Sequence, residues 1–428
     1  MRLLPLLIPV VLTLASPLAL AAAGPYGKYF VEAERVWPDE TSPDPNTPAS
    51  ISSDKQSTAL VRALSERLIE QEYRDGPYAM SLAETLDSLA RAQEAMGDIA
   101  AARKSRARAL HLIRLNEGLY SVAQRPVLRA MLDSLRREGD FTALDERYNY
   151  FFRLYGSGRP PWDGLRWSAT MEYLRWQREV LRRGQDRDLL TRLLDLHEMH
   201  EDLLEILVSD ERGIDYLRFK DATFSQLKTL YLIEDLVEPQ PLYRDRRTGF
   251  PSSVDDPRDF SLQQERLENL QRTVRAAGRR LLDDLLAAIP SEELELRAET
   301  QLALADWLQW HGAAREARAV YEGIWRDLDA GGLNSLATEW FSKPVPLPDN
   351  GVFWESGLED GDGLFFVRLK VREDGRAIAD VAPSGLGRTR SAALLQRYIQ
   401  TTRFRPAMDD GRITSSENIE ARYRLIQR

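Results

Sequence analysis

The densest group of metal-type ligands in this chain lies in the segment LLDLHEMHEDLLE, where helical spacing puts His197 and His200 on one face beside Asp195, Glu198 and Glu201. A metal needs three or four convergent donors. HEMH is not the zinc-protease spacing HExxH, and no Glu stands three residues before any His, as a di-iron bundle would require. The expected role is a polar helix face, with no metal and no cofactor. The EDGDG run at 359–363 lacks the acidic spacing and closing Glu of a calcium loop and reads as a turn. SGLGRTRS at 384–391 has glycines but no phosphate-loop Lys, and there is no GxSxG elbow or GxGxxG fingerprint. With no Cys, thiolate nucleophiles, thiolate metal sites and disulfides are excluded. Carboxylates are abundant, but abundance does not make a catalytic pair without convergence. The chain reads as non-enzymatic, the alternative being a dispersed site in a groove between two domains.

The elements that position these side chains must come from a long chain. Its 428 residues exceed an ordinary single domain of roughly 100 to 200 residues unless they form a repeat array. Acidic residues outnumber basic ones, 67 to 58, for a net charge of -9, which argues against a nucleic-acid partner. Residues 1–23 have the anatomy of a secretory signal peptide: Arg2, an apolar run from Leu3 to Ala15, and small residues at Ala19 and Ala21 to Ala23. Pro5, Pro9 and Pro17 interrupt that run, so cleavage is expected rather than anchoring, with no membrane span in the mature chain and a periplasmic location. Residues 24–57 are rich in Pro, Ser, Thr and Asp and read as an extended segment or linker.

From 58 to 332 the pattern is helical, with insertions near 156–164 and 239–260. In LAETLDSLARAQEAMGDIAAARKSRARAL, Gly97 ends one helix in a left-handed conformation and Asp98 caps the next. Ala102 and Ala109 then sit where paired helices approach closely. Around Gly139 the same grammar gives Asp140 as cap, Leu144 at the close contact and Tyr148 as the aromatic. Around Gly312 it gives Ala317 and Tyr321. Gly184, followed by Asp186, is a weaker candidate turn. The glycines at 97, 139 and 184 fall at spacings close to one another, as a helix-pair repeat requires.

These residues, with Leu89, Ala90 and Leu110, resemble tetratricopeptide repeats in a longer-helix form of about 42 residues. The resemblance implies an α-solenoid whose concave wall is lined by the first helix of each pair and binds a protein or peptide segment. Carrying that wall onto the matched units names Glu84, Asp87, Arg91 and Glu94, then Arg129, Asp133 and Arg136, then Asp306 and Gln309. The plainer reading of each is a solvated helix face with local ion pairs.

Residues 345–428 change period. Phe365, Val367, Leu369 and Val371 alternate with Phe366, Arg368, Lys370 and Arg372, which marks a half-buried strand. Asp374-Gly375 makes a hairpin turn into a second strand, 388–401 reads as a helix, and Ile419, Ala421, Tyr423 and Leu425 share one face of a closing strand. Pro406 should leave its strand at an edge or irregular. VREDGRAIADV, Phe404 to Ala407 and Asp410-Gly411 resemble the C-terminal domain of TonB-type energy transducers. That implies a small α+β domain that takes an extended segment of an outer-membrane transporter onto its sheet. The chain departs from the family in that its N-terminal segment is expected to be cleaved where the usual transducer keeps an anchor, in having helical repeats in place of a long Pro-rich spacer, and in lacking a clear Tyr-Pro opening. The expected fold is mainly α, a tetratricopeptide-like α-solenoid followed by a small strand-strand-helix-strand domain. The expected function is a scaffold for an envelope protein, and the alternative is an accessory transducer at outer-membrane transporters.

Overall fold

The computed structural model describes residues 30–32, 53–183, 189–209, 213–236, 257–347, 364–383 and 389–425. The 1–23 segment, Gly184 with Asp186, and EDGDG lie outside these residues, as does most of the 239–260 insertion.

Helix pairing starts from the turn at Gly97. The Glu94 and Gln93 carbonyls, which a helix end leaves unpaired, accept from the Gly97 and Asp98 N–H groups at 2.8 and 2.9 Å. Gly97 reaches this geometry at φ +78°, where a Cβ would be strained. The carboxylate of Asp98 then accepts the Ala101 N–H at 3.0 Å, capping the next helix. The same pair of bonds closes the turns at Gly139 and Gly312, and Asp140 caps onto Ala143 at 3.2 Å. It also closes turns at Gly156 and Gly332, which the sequence reading did not single out.

Strand β1 (Phe30–Glu32) precedes helix α1 (Ser53–Asp75), which leads into five helix pairs. The first helices are α2 (Leu82–Ala95), α4 (Arg125–Glu138), α6 (Gly164–Arg183), α8 (Tyr216–Leu236) and α10 (Leu294–Trp310). The second helices are α3 (Ile99–Glu117), α5 (Phe141–Leu154), α7 (Leu189–Val208), α9 (Pro257–Ala288) and α11 (Ala314–Ala330). Ala102, Ala109 and Ala317 are all 0% exposed, as close approach of paired helices demands. Leu144, Tyr148 and Tyr321 are buried with them. Three apolar clusters run along the stack, each shared by neighbouring helices, so every pair is stabilised by the next.

The fold is mainly α with a small C-terminal α+β part. The 239–260 insertion is shorter than expected, because Pro257 supplies the preset φ of a first helical turn and α9 begins there. Two boundaries also move. Residues 24–57 are not all linker, since α1 starts at Ser53 and Phe30–Glu32 is a strand. A further helix, α12 (Asn334–Phe341), follows the stretch read as helical to 332, with Ala337, Trp340 and Phe341 buried in the helical core.

After β2 (Val345–Leu347) come β3 (Leu364–Val371), β4 (Ala377–Pro383), α13 (Thr389–Thr401), β5 (Arg403–Arg405), β6 (Ala407–Asp409), β7 (Arg412–Thr414) and β8 (Ser416–Leu425). The main sheet is antiparallel in the order β1-β8-β3-β4. Phe365, Val367, Leu369 and Val371 are buried against α13, as alternation predicts. Pro406 separates two short ladders, β2 with β5 and β6 with β7, because it has no N–H to continue one. Among the described residues, no helix is long and apolar enough to cross a membrane.

Candidate functional site

Most wall positions named from the sequence are engaged inside the stack. Glu94 pairs with the buried Arg106 of α3 and accepts from Arg137 of α4 at 3.2 Å. Arg129 makes a two-pronged pair with Glu172 of α6, one arm at 2.8 Å, and Arg136 reaches Glu179 of α6 at 2.6 Å. Each of these three links between successive first helices spans 43 residues, close to the spacing of the turn glycines. Burial opposes the charges, but Glu179 holds the Arg136 guanidinium above its ordinary range, and Arg106 holds the Glu94 carboxyl below its own. The ladder continues from α8 to α10 through Lys220 and Glu299 at 2.8 Å. These charges set the register of the stack. Glu84, Arg91 and Asp133 stay exposed on the same helices, and Asp87 is partly exposed, 3.3 Å from Arg91.

Asp306 and Gln309 on α10 hold the chain's own C-terminal part. Gln309 is 3% exposed, and its Nε2 donates to the carbonyls of Asp374 at 2.9 Å and Phe404 at 3.1 Å. The hairpin turn fits because residue 375 is glycine. A Cβ there would lie 1.9 Å from Gln309 Nε2 and 2.2 Å from the Phe404 carbonyl oxygen. Arg405 grips Asp306 with two arms, Nε at 2.9 Å and Nη2 at 2.5 Å, and donates through Nη1 to the Trp340 carbonyl at 3.2 Å. The Tyr321 hydroxyl donates to Asp306 at 2.8 Å. Burial first, and then Asp306 itself, push that phenol well above its ordinary pKa, so it remains a donor. Met408 and Ile413 complete the contact by joining the helical core.

The assignment of Asp306 and Gln309 to an outside partner is therefore corrected. Both are satisfied within the chain, and the C-terminal part, which keeps an apolar cluster of its own, packs against α10 here. The junction, where a dispersed catalytic site was the alternative, is filled at this point by paired side chains. The available signal for it was Arg405 itself, an Arg set between Phe404 and Pro406, since a buried guanidinium needs a carboxylate.

His197 and His200 do not converge. His197 faces Glu201 at 3.2 Å, while His200 is fully buried between the Leu196 carbonyl and Ser225 Oγ, at 2.6 and 2.9 Å. Glu198 pairs with Arg266 of α9 at 2.5 Å. Among the described residues, no group of three or more His, Asp or Glu is placed to hold a metal. No protein-family model matches this chain, and no curated protein sequence matches it.

Proposed function

We propose that this chain is a non-enzymatic scaffold of the bacterial periplasm that holds a segment of another envelope protein against its first-helix wall. The observation that carries the reading is the grip of α10 on the chain's own turn. Gln309 takes two backbone carbonyls and Asp306 takes an Arg, the two features any extended segment with a basic residue offers. Equivalent first helices earlier in the stack carry Glu84 and Asp133 toward solvent, while Asp87 is paired with Arg91 at 3.3 Å and with the buried Arg106. That balance favours a segment bearing Lys or Arg. The periplasmic assignment rests on the signal-like residues 1–23.

The test is a photoreactive residue placed singly at Glu84, Arg91 or Asp133 in the native host, with Lys104 on the second-helix face as control. The wall positions should yield one common envelope-protein adduct that the control lacks. Equal labelling from all positions, or none with the protein folded, would remove the reading.

A second reading, an accessory of outer-membrane transporters, is favoured by one observation. The main sheet takes a short strand on its β8 edge, with Phe30–Glu32 pairing antiparallel to Tyr423–Leu425. An edge that takes a strand from its own chain is suited to a strand from elsewhere. Unchanged uptake of iron chelates in a deletion strain would remove this second reading alone.

A further inference from the structure

The second-helix face carries a pocket of about 440 Å³ between α3 and α5, lined by Arg114, Glu146, Arg147, Asn149, Tyr150 and Arg153. Three guanidinium groups meet one carboxylate there, on a chain whose net charge is -9. Among the described residues, neither Arg147 nor Arg153 makes a side-chain hydrogen bond or an ion pair, unlike the arginines of the first-helix ladder. Arg147 is only partly exposed, and burial first, then the neighbouring Arg114, pull its pKa down. A half-buried cation beside another cation is costly, and an anion between them would offset that cost.

The third guanidinium is held in place in advance. Arg114 Nε donates to Gln124 Oε1 at 3.0 Å and to the Tyr150 oxygen at 3.1 Å, and its fork lies 4.3 Å from the centre of the Tyr150 ring. Gln124 is 0% exposed and is tied by its Nε2 to the Leu119 carbonyl at 2.8 Å. The Tyr150 hydroxyl lies 2.6 Å from Gln124 Oε1 and 2.8 Å from the Leu119 carbonyl. A buried network thus fixes one wall of the pocket and leaves the Nη groups of Arg114 without a hydrogen-bond partner among the described residues.

We propose that Arg114, Arg147 and Arg153 form a binding site for a compact oxyanion carrying two or more negative charges. Guanidinium forks match the paired oxygens of phosphoryl and carboxylate groups alike, and the volume suits a small molecule. Asn149, whose Oδ1 accepts from the Tyr173 hydroxyl at 2.7 Å, adds an NH2 group able to donate to a further oxygen. The site is independent of whatever the first-helix wall holds.

Calorimetric titration of the full chain at low ionic strength, once with inorganic phosphate and once with citrate, tests it. Saturable one-site binding is expected, tighter for phosphate if the natural group is phosphoryl and tighter for citrate if it is a polycarboxylate. Arg147→Gln and Arg153→Gln should each weaken it about tenfold. Arg147→Lys, which keeps the charge but loses the fork, should fall between. Neither side chain holds the fold through a bond, so the melting temperatures of these variants should be no lower than the parent's. No saturable binding of either anion, or binding unchanged in the Arg147→Gln/Arg153→Gln double variant, would overturn the proposal.

Discussion

His200 shows how a side chain that could do chemistry is consumed by structure. Its Nδ1–H donates to the Leu196 carbonyl, and its Nε2 accepts from Ser225, whose oxygen accepts in turn from Arg178 at 2.7 Å. Burial first, and the Arg178 charge second, push its pKa down to about 3. The unfolded chain, with an ordinary His near 6.5, therefore binds the proton first. This contribution is complete above pH 6.5 and is lost progressively as pH falls toward 3, by about 2 kcal/mol between pH 7 and pH 5. Urea denaturation at those two pH values should show the loss, and His200→Gln should remove most of it. A slope unchanged in the variant would assign the pH dependence to other groups. The Asp306–Arg405 pair is a second case, with side chains only 14% and 10% exposed. Asp306→Asn should cost about 3 kcal/mol by leaving Arg405 short of its counter-charge. A double-mutant cycle with Arg405→Gln should return a coupling of about 1 kcal/mol or more. The exposed pair Arg318–Glu373 at the same junction should give roughly 0.5 kcal/mol or less.

At the scale of elements, the helix pairs were readable because their determinants are local. Gly97, Gly139 and Gly312 close turns with bonds spanning a few residues, and Asp98 and Asp140 cap three residues ahead, so spacing alone carries the information. Ala102 and Ala317 were equally legible, since each stands at the same offset after a turn glycine. Ala109→Leu should destabilise by about 1 to 3 kcal/mol, because the α2–α3 contact has no room for three more carbons. The check is the midpoint of chemical denaturation, and an unchanged midpoint would mean that these helices are not closely packed. The wall charges were harder to read. Glu94, Arg129 and Arg136 look like a solvated face in sequence, and only their links to the next first helix show that they hold the stack together.

Across the whole molecule, the parts that were not legible are those joined over distance. Gln309 meets Asp374 and Phe404 across 65 and 95 residues, and Arg405 meets Asp306 across 99. No local pattern encodes such a meeting. Strand β1 lies against β8, so Phe30–Glu32 and Tyr423–Leu425, far apart in sequence, share one sheet. Met408 and Ile413 join the helical core, while the main sheet and α13 keep an apolar cluster of their own. On the function proposed above, the first-helix wall grips extended chain, and at its last pair it already holds the chain's own C-terminal turn. Hydrogen exchange of the amides at 372–376 and 403–409 tests it most directly, comparing the parent with a chain carrying Gln309→Ala and Asp306→Asn. Slow exchange in the parent, becoming fast in the variant while α2 to α5 stay protected, is the predicted result. Fast exchange of these amides in the parent, or protection unchanged in the variant, would contradict it.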